Sequence, residues 1–224
     1  MGKSGFWGLL GDTDRATLIA VARPRVFPGR AVLCLEGEPT THVFILLAGW
    51  VKVITVTREG QEIVEALRGD GDVIGEIAGH VTGYRTATIQ AIGTVRTLIV
   101  GSAQFEDFLD AHPGASHAYR RAMAEFRQAA GERQRSQALS SGAQRLACLL
   151  LDLAERQGAP GQQAGPAPLP LSQVELASLV GASRSTITRA LQDWRARHII
   201  HTAQRHVTIL DRPQLLRIAG RPPR

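Results

Sequence analysis

The chain has 224 residues, 44% of them hydrophobic and 21% charged, which is enough to bury a core and excludes wholesale disorder. Only 5% are aromatic, so the core is aliphatic, and two cysteines far apart, Cys34 and Cys148, exclude a disulfide framework and a cysteine-based zinc site. The net charge of +6 rides wholly on residues 138–224, which hold 11 arginines, no lysine and five acidic residues; that part either meets a polyanion or simply carries an arginine-rich composition.

No run of apolar residues is long enough for a membrane span, and the N-terminus lacks the basic-then-apolar pattern of a signal peptide, so a cytoplasmic protein is expected. Residues 6–22 read as one or two short helices, with Asp12 or Thr13 as cap and Ala16, Ile19 and Ala20 on one face. From residue 26 to 100 the pattern changes to short β-branched runs punctuated by glycine: 31–35, 43–47, 50–57, 63–67, 87–91 and 94–100. Arg58-Glu59-Gly60-Gln61 reads as a hairpin turn. Many short strands with regular turns and no long helices between them predict an antiparallel barrel or roll of about eight strands and exclude a Rossmann fold.

Within that region, residues 69–87 (GDGDVIGEIAGHVTGYRTA) place Gly75 and Glu76 ahead of Arg85, Thr86 and Ala87. Backbone N–H groups around Gly75, Glu76, Ile77 and Ala78 are suited to cradle an anion. Arg85 offers a forked contact to phosphate, Thr86 a hydroxyl donor, and Glu76 an acceptor for a sugar hydroxyl. That is a nucleotide-sized site without a catalytic base or a metal cluster. The plainer alternative is that Glu76 and Arg85 pair and hold a loop shut.

Helical periodicity returns after Gly101, with Ser102 as cap of residues 103–109, a break at His112-Pro113-Gly114, and a helix to about Gln137. Tyr119, Ala122, Phe126, Ala129 and Arg133 are spaced as a seam that packs on a partner helix, and Tyr119 and Phe126 are equally suited to pack on their own roll. Residues 141–156 form another helix with Leu146, Leu149, Leu150 and Leu153 on its apolar side and Cys148 as a small structural residue. Residues 157–170 (QGAPGQQAGPAPLP) read as an exposed connector.

The sharpest local signal is LSQVELASLVGASRSTITRALQDWRARHII, residues 171–200. Ser172 and Glu175 form a capping box that opens a helix over 173–180, Gly181 supplies a left-handed turn, and Ser183 caps a second helix to about Arg197. Ile187, Ala190, Leu191 and Trp194 face inward, which leaves Arg184, Ser185, Thr188 and Arg189 outward on the first turns. An arginine there is placed to fork onto a guanine in the DNA major groove, with Ser185 and Thr188 near base edges or phosphate. Ser172 and Ser183, at helix N-termini, are placed for phosphate. Residues 199–202 and 206–210 read as a hairpin wing around Ala203-Gln204-Arg205, with Arg205 near the DNA backbone. Two surface helices with ordinary solvated arginines are the competing reading. No Ser/His/Asp grouping, HExxH motif or acid–base carboxylate pair is present, so an enzyme is not expected.

Together, Gly75-Glu76-Ile77-Ala78 with Arg85-Thr86-Ala87, followed by Gly181-Ala182-Ser183-Arg184-Ser185-Thr186-Ile187-Thr188-Arg189, resembles the CRP/FNR family of bacterial transcription regulators over residues 6–216. The resemblance implies an α+β architecture: a cyclic-nucleotide-binding-type β-roll (double-stranded β-helix or jelly-roll) over 1–112, a dimerisation helix over 113–137 and a winged helix-turn-helix over 138–224. It further implies a homodimer on palindromic double-stranded DNA, RNA polymerase as partner, no membrane, no required cofactor or metal, and cyclic AMP or another cyclic nucleotide as effector. In cyclic-AMP-responsive members the Glu holds the ribose and the Arg the phosphate. The chain departs from those members where hydroxyls reach the purine, carrying Ala130 and Gly131 there and Phe126 at a base-contacting arginine place, and it has Ser185 where they carry Glu. Iron–sulfur members carry several N-terminal cysteines, which this chain lacks before Cys34. A constitutive DNA-binding regulator whose roll no longer takes a nucleotide is the close alternative.

Overall fold

The computed structural model describes residues 5–39, 41–75, 83–139, 141–157, 167–168, 171–203 and 206–221. The chain divides into two compact units, Lys3–Arg127 and Gln128–Arg224.

In the first unit two short helices, α1 (Gly5–Leu9) and α2 (Asp12–Val21), precede a sheet of β1 (Arg23–Phe27), β2 (Val32–Cys34), β3 (His42–Val56), β4 (Glu62–Arg68), β5 (Val73–Ile74) and β6 (Thr88–Gly101). The sheet runs β1-β6-β3-β4, with β2 paired to β6 and β5 to β3, and every pairing is antiparallel. Where the sequence predicts four separate strands at 43–47, 50–57, 87–91 and 94–100, there are two long ones. β3 and β6 run through their glycines and bend there, with register shifts at Leu46/Ala48 and Ala48/Trp50. Gly49 sits at that bend with φ +95°, and a Cβ would lie 2.5 Å from Thr94 O, so a side chain is excluded. The predicted turn is present, closed by Thr57 N donating to Gln61 O and Gly60 N to Thr57 O.

Side chains alternate across a strand, and β3 is apolar on both faces because both are covered. Val43 and Ile45 join Val73, Leu98 and Val100 beneath Phe6, Leu18, Phe105 and Phe108. Phe44 and Leu46 point the other way, into a core with Phe27, Cys34, Val51, Ile74, Ile89 and Val95. Leu18 is the buried residue of α2, whereas Ile19 is 53% exposed and Ala16 and Ala20 are exposed, so the predicted face is corrected. The cap is Gly11 rather than Asp12 or Thr13, and α2 is tied down by Arg15, whose guanidinium donates to the carbonyls of Trp7 and Gly8 at the end of α1.

Helix α3 (Ser102–Ala111) begins with Ser102 inside it; its hydroxyl is buried without a partner and makes no cap. His112 breaks the chain and Pro113 opens α4 (Pro113–Leu139), where a missing N–H costs nothing. Of the expected seam, Tyr119 packs edge-on against Phe6 and Phe105, Ala122 is buried in the same core, and Phe126 lies on Arg68. These three therefore serve their own roll, and the side chain of Arg133 lies outside the described residues.

In the second unit α5 (Gly142–Gln157) is opened by Ser141 and Gln144, which exchange backbone-to-side-chain bonds of 2.8 and 3.2 Å. It buries Leu146, Leu150, Leu151 and Leu153. Within 157–170, read as connector, Ala167–Pro168 forms β7 on the edge of a small sheet, a position a proline tolerates. The sheet continues with β9 (His206–Ile209) and β8 (Ile200–Ala203). Between β7 and β8 lie α6 (Gln173–Val180) and α7 (Arg184–Ala196). Helix α8 (Arg212–Ile218), for which the sequence carries no strong periodic signal, is capped by Asp211 accepting from Gln214 N and has a proline in its first turn.

Candidate functional site

The helix-turn-helix is built by local chemistry. Ser172 Oγ accepts from Glu175 N at 3.2 Å and Glu175 Oε2 accepts from Ser172 N at 2.7 Å, the reciprocal capping box. Gly181 takes φ +59°, ψ +47°, and the turn closes with Ala182 N donating to Ala177 O at 2.9 Å. Ser183 Oγ accepts from Thr186 N and caps α7. Arg145 on α5 grips the turn from behind, donating to the carbonyls of Val180 and Gly181. Gly142 allows that approach: a Cβ there would sit 2.7 Å from Ala182 Cβ.

Ile187, Ala190, Leu191 and Trp194 are all buried, which fixes the rotation of α7. Arg184, Ser185 and Arg189 are therefore exposed together along its first turns. Thr188 is half-buried, its hydroxyl 2.7 Å from Gln173 Oε1 and 2.9 Å from Arg184 O, so it braces α6 against α7 as well as facing outward. Ser183 Oγ also lies 2.9 Å from Ser185 Oγ. Ser183 and Ser172 are both exposed, Ser172 at the opening of α6 with its Oγ committed to the capping box. The β8–β9 hairpin pairs Ala203 with His206, and Arg205 lies outside the described residues.

In the roll, Gly75 and Arg85 come together and Glu76, Ile77 and Ala78 lie outside the described residues. Arg85 is 4% exposed, with Nη1 donating to Gly75 O at 3.0 Å and Nη2 to His42 O at 2.8 Å. Its backbone is pinned to the turn after β2 by Gly37 N donating to Arg85 O and Arg85 N to Glu38 O, both at 2.8 Å. Its guanidinium carbon is 5.6 Å from the centre of the Phe44 ring. Gly75 has φ +86°, and a Cβ there would fall on Arg85 Nη1. The ion pairs among the described residues do not include Arg85, so carbonyl dipoles and a ring face hold a buried cation. Such a cation favours an arriving anion. Burial first, then the charges of Arg85 and Arg25, push the His42 imidazole below its usual range and keep it neutral. Burial pushes the Cys34 thiol up, so it stays a thiol against Arg85. Thr86 is exposed beside Arg85.

The carbonyls that hold Arg85 have no signature in the sequence, nor do Arg145 and Gly142 behind the turn. The same is true of Arg68, a buried arginine on β4 whose guanidinium carbon lies 3.8 Å from the centre of the Phe126 ring. A lone arginine in a strand before Gly69-Asp70-Gly71-Asp72 gives no local sign of burial. Of the two positions that the sequence resemblance sets toward a purine, Ala130 is exposed and Gly131 half-buried on α4. Among the described residues there is no group of three or more His, Cys, Asp or Glu able to hold a metal ion, and no helix is long and apolar enough to cross a membrane.

Two family models match the chain, a Cyclic nucleotide-binding domain over residues 24–112 and a Crp-like helix-turn-helix domain over residues 144–218. A CRP-like cAMP-activated global transcriptional regulator of Mycobacterium tuberculosis is 29% identical over 219 residues, 98% of each chain. A global nitrogen regulator of Synechocystis sp. is 29% identical over 186 residues, 82% of each chain. Among solved structures, FixK2 from Bradyrhizobium japonicum superposes with a TM-score of 0.74 at 20% identity, covering 88% of this chain and 97% of that one. With a cyclic nucleotide-binding domain followed by a Crp-like helix-turn-helix domain, the chain belongs to the CRP/FNR family of transcription regulators.

Proposed function

We propose that this member of the CRP/FNR family is a homodimeric, sequence-specific DNA-binding regulator gated by a cyclic nucleotide or a similar small anion in the roll. The observation that carries the reading is the exposed row Arg184, Ser185 and Arg189 on a helix whose opposite face is locked by Ile187, Ala190, Leu191 and Trp194. Arg184 and Arg189 fork onto guanines of successive major grooves of a palindromic site, one set from each protomer. Ser172 and Ser183 take phosphate through their helix N-termini, with Thr188 and Arg205 at the margins. Ser185 accepts or donates a hydrogen bond without charge, so it selects its base less strictly than a carboxylate does. RNA polymerase is the downstream partner.

The buried, dipole-held Arg85 supports the effector half of the reading, with Gly75, Glu76, Ile77, Ala78 and Thr86 as its neighbours around a phosphate. Cyclic AMP is the first candidate because the Mycobacterium tuberculosis relative is described as cAMP-activated. One observation favours a constitutive regulator instead: Arg85 is already bonded to two backbone carbonyls, a satisfied structural arrangement without any ligand.

The test is selection of duplexes from a random pool with the full chain, followed by footprinting with the Arg184→Ala and Arg189→Ala variants. Both variants are expected to lose the specific footprint while keeping their fold and oligomeric state. Unchanged footprints in both would overturn the assignment of α7.

A further inference from the structure

Among the described residues the short strand β5 pairs with β3, and its other edge is closed by side chains and by α1. Carbonyls alternate sides along a strand. On the β3 side Asp72 O accepts from Leu46 N at 2.9 Å. The alternate carbonyls are held otherwise: Gly71 O accepts from Trp7 N at 3.0 Å, Val73 O from Arg68 Nη2 at 2.7 Å and Gly75 O from Arg85 Nη1 at 3.0 Å. Two buried arginines thus grip β5 and the residue that follows it, two residues apart, Arg68 at 3% exposure and Arg85 at 4%.

The two arginines differ in what else they touch. Arg68 has a carboxylate near it, Asp72 Oδ2 at 3.7 Å from Nε, and it lies over the Phe126 ring of helix α4. Arg85 has carbonyls and the Phe44 ring. A continuous line of contacts therefore runs from Arg85 to Gly75 O, along β5 to Val73 O, through Arg68, and onto Phe126. Every member belongs to the first unit.

We propose that Arg68 and Phe126 are the positioning residues through which the state of Arg85 reaches helix α4. An anion that draws Arg85 away from Gly75 O releases one of the bonds holding the outer edge of β5. The strand then shifts against Arg68, whose planar group carries the change onto the aromatic ring. A ring at position 126 cannot hydrogen-bond a base, and here it has a mechanical use instead. Only the trigger rests on the reading of the roll as an effector site. The coupling between Arg85 and Phe126 stands or falls without a ligand.

The experiment is hydrogen–deuterium exchange on the full chain, read over the amides of residues 73–75 and 120–127. It compares the wild type with Arg85→Gln, Phe126→Leu, Arg68→Lys and the double variant Arg85→Gln/Phe126→Leu. Arg85→Gln is expected to speed exchange in 120–127 about fivefold, the size typical of side chains that share one network. Phe126→Leu and Arg68→Lys, which keep volume or charge but lose the stack, are expected to abolish that response, so that Arg85→Gln adds nothing in the double variant. If Arg85→Gln speeds exchange at 73–75 alone, or if its effect on the helix persists undiminished in the double variant, the proposal is overturned. Should Arg85→Gln fail to fold, Arg85→Lys, which keeps the charge but has a single donor nitrogen in place of the fork, replaces it with the same expected pattern. A parallel arm measures calorimetric binding of cyclic AMP and cyclic GMP to the wild type. Binding that leaves exchange in 120–127 unchanged overturns the trigger and leaves the effector reading intact. Absence of binding overturns the effector reading, while the variant series still decides the coupling.

Discussion

Replacing Gly75 with alanine tests the architecture around Arg85 through two separable costs. The first is backbone strain: at φ +86° an L side chain is held in a sparsely populated region, which costs about 1–2 kcal/mol. The second is displacement: the new Cβ falls on Arg85 Nη1, so the guanidinium must leave Gly75 O. Losing a hydrogen bond to a charged group costs about 1.5–3 kcal/mol. Gly93 separates the two, because it has φ +69° and a Cβ there would meet nothing within 4 Å. Gly93→Ala is expected to show the strain alone, about 1–2 kcal/mol. Gly75→Ala is expected to show both, about 3–5 kcal/mol in all. The assay is equilibrium urea unfolding of the roll, followed by Trp7 and Trp50 fluorescence in a Trp194→Phe background. Equal destabilisation by the two alanines would refute the placement of Arg85 on the carbonyl of Gly75.

Other perturbations read other parts of the molecule. Arg145→Leu removes the charged donor from the carbonyls of Val180 and Gly181, and should destabilise the second unit by about 1.5–3 kcal/mol in thermal unfolding while weakening DNA binding. A Ser172→Ala chain loses half of the capping box and is expected to lose about 1 kcal/mol in the same measurement, with Ser172→Gly milder. Gly142→Ala crowds Ala182 Cβ and should cost about 1–3 kcal/mol; a neutral result would show that α5 is free to move off the turn. Finally, His42 is depressed below its ordinary value of 6.5, so it stays neutral when folded and charges when unfolded. Its contribution to stability is present above that value and is lost as pH falls below it toward the folded pKa. Urea midpoints of the roll measured from neutral to mildly acidic pH should fall, and His42→Gln should flatten the slope; an unaltered slope would remove His42 as its source.

Legibility in the sequence follows the range of the forces involved. The helix-turn-helix is readable almost residue by residue because its determinants are local: Ser172 with Glu175, Gly181 in a left-handed turn, Ser183 with Thr186 N, and a 3.6-residue apolar face. The number of strands is harder. Gly49 and Gly93 punctuate the sequence as turns do, yet β3 and β6 continue through them because bulges let a long strand bend between layers. The spacing of Tyr119, Ala122 and Phe126 correctly marks one helix face, but a period cannot say what covers it. Phe6 and Phe105 do so for Tyr119, and Arg68 for Phe126, all from distant segments. Backbone acceptors carry no sequence signature, so the carbonyls of His42 and Gly75 that hold Arg85 emerge only from the fold. Helix α8 escapes a periodicity search although Asp211 with Pro213 is an ordinary helix opening, because the span that follows is short.

The proposed control of α7 by a nucleotide in the roll has a direct consequence for DNA binding. Its most direct test is fluorescence anisotropy of a selected palindromic duplex titrated with the full chain, with and without cyclic AMP or cyclic GMP, repeated for Arg85→Gln. One nucleotide is expected to tighten specific DNA binding in the wild type and to have no effect on the Arg85→Gln variant. Specific binding of the same strength with and without either nucleotide would contradict it and leave a constitutive DNA-binding regulator.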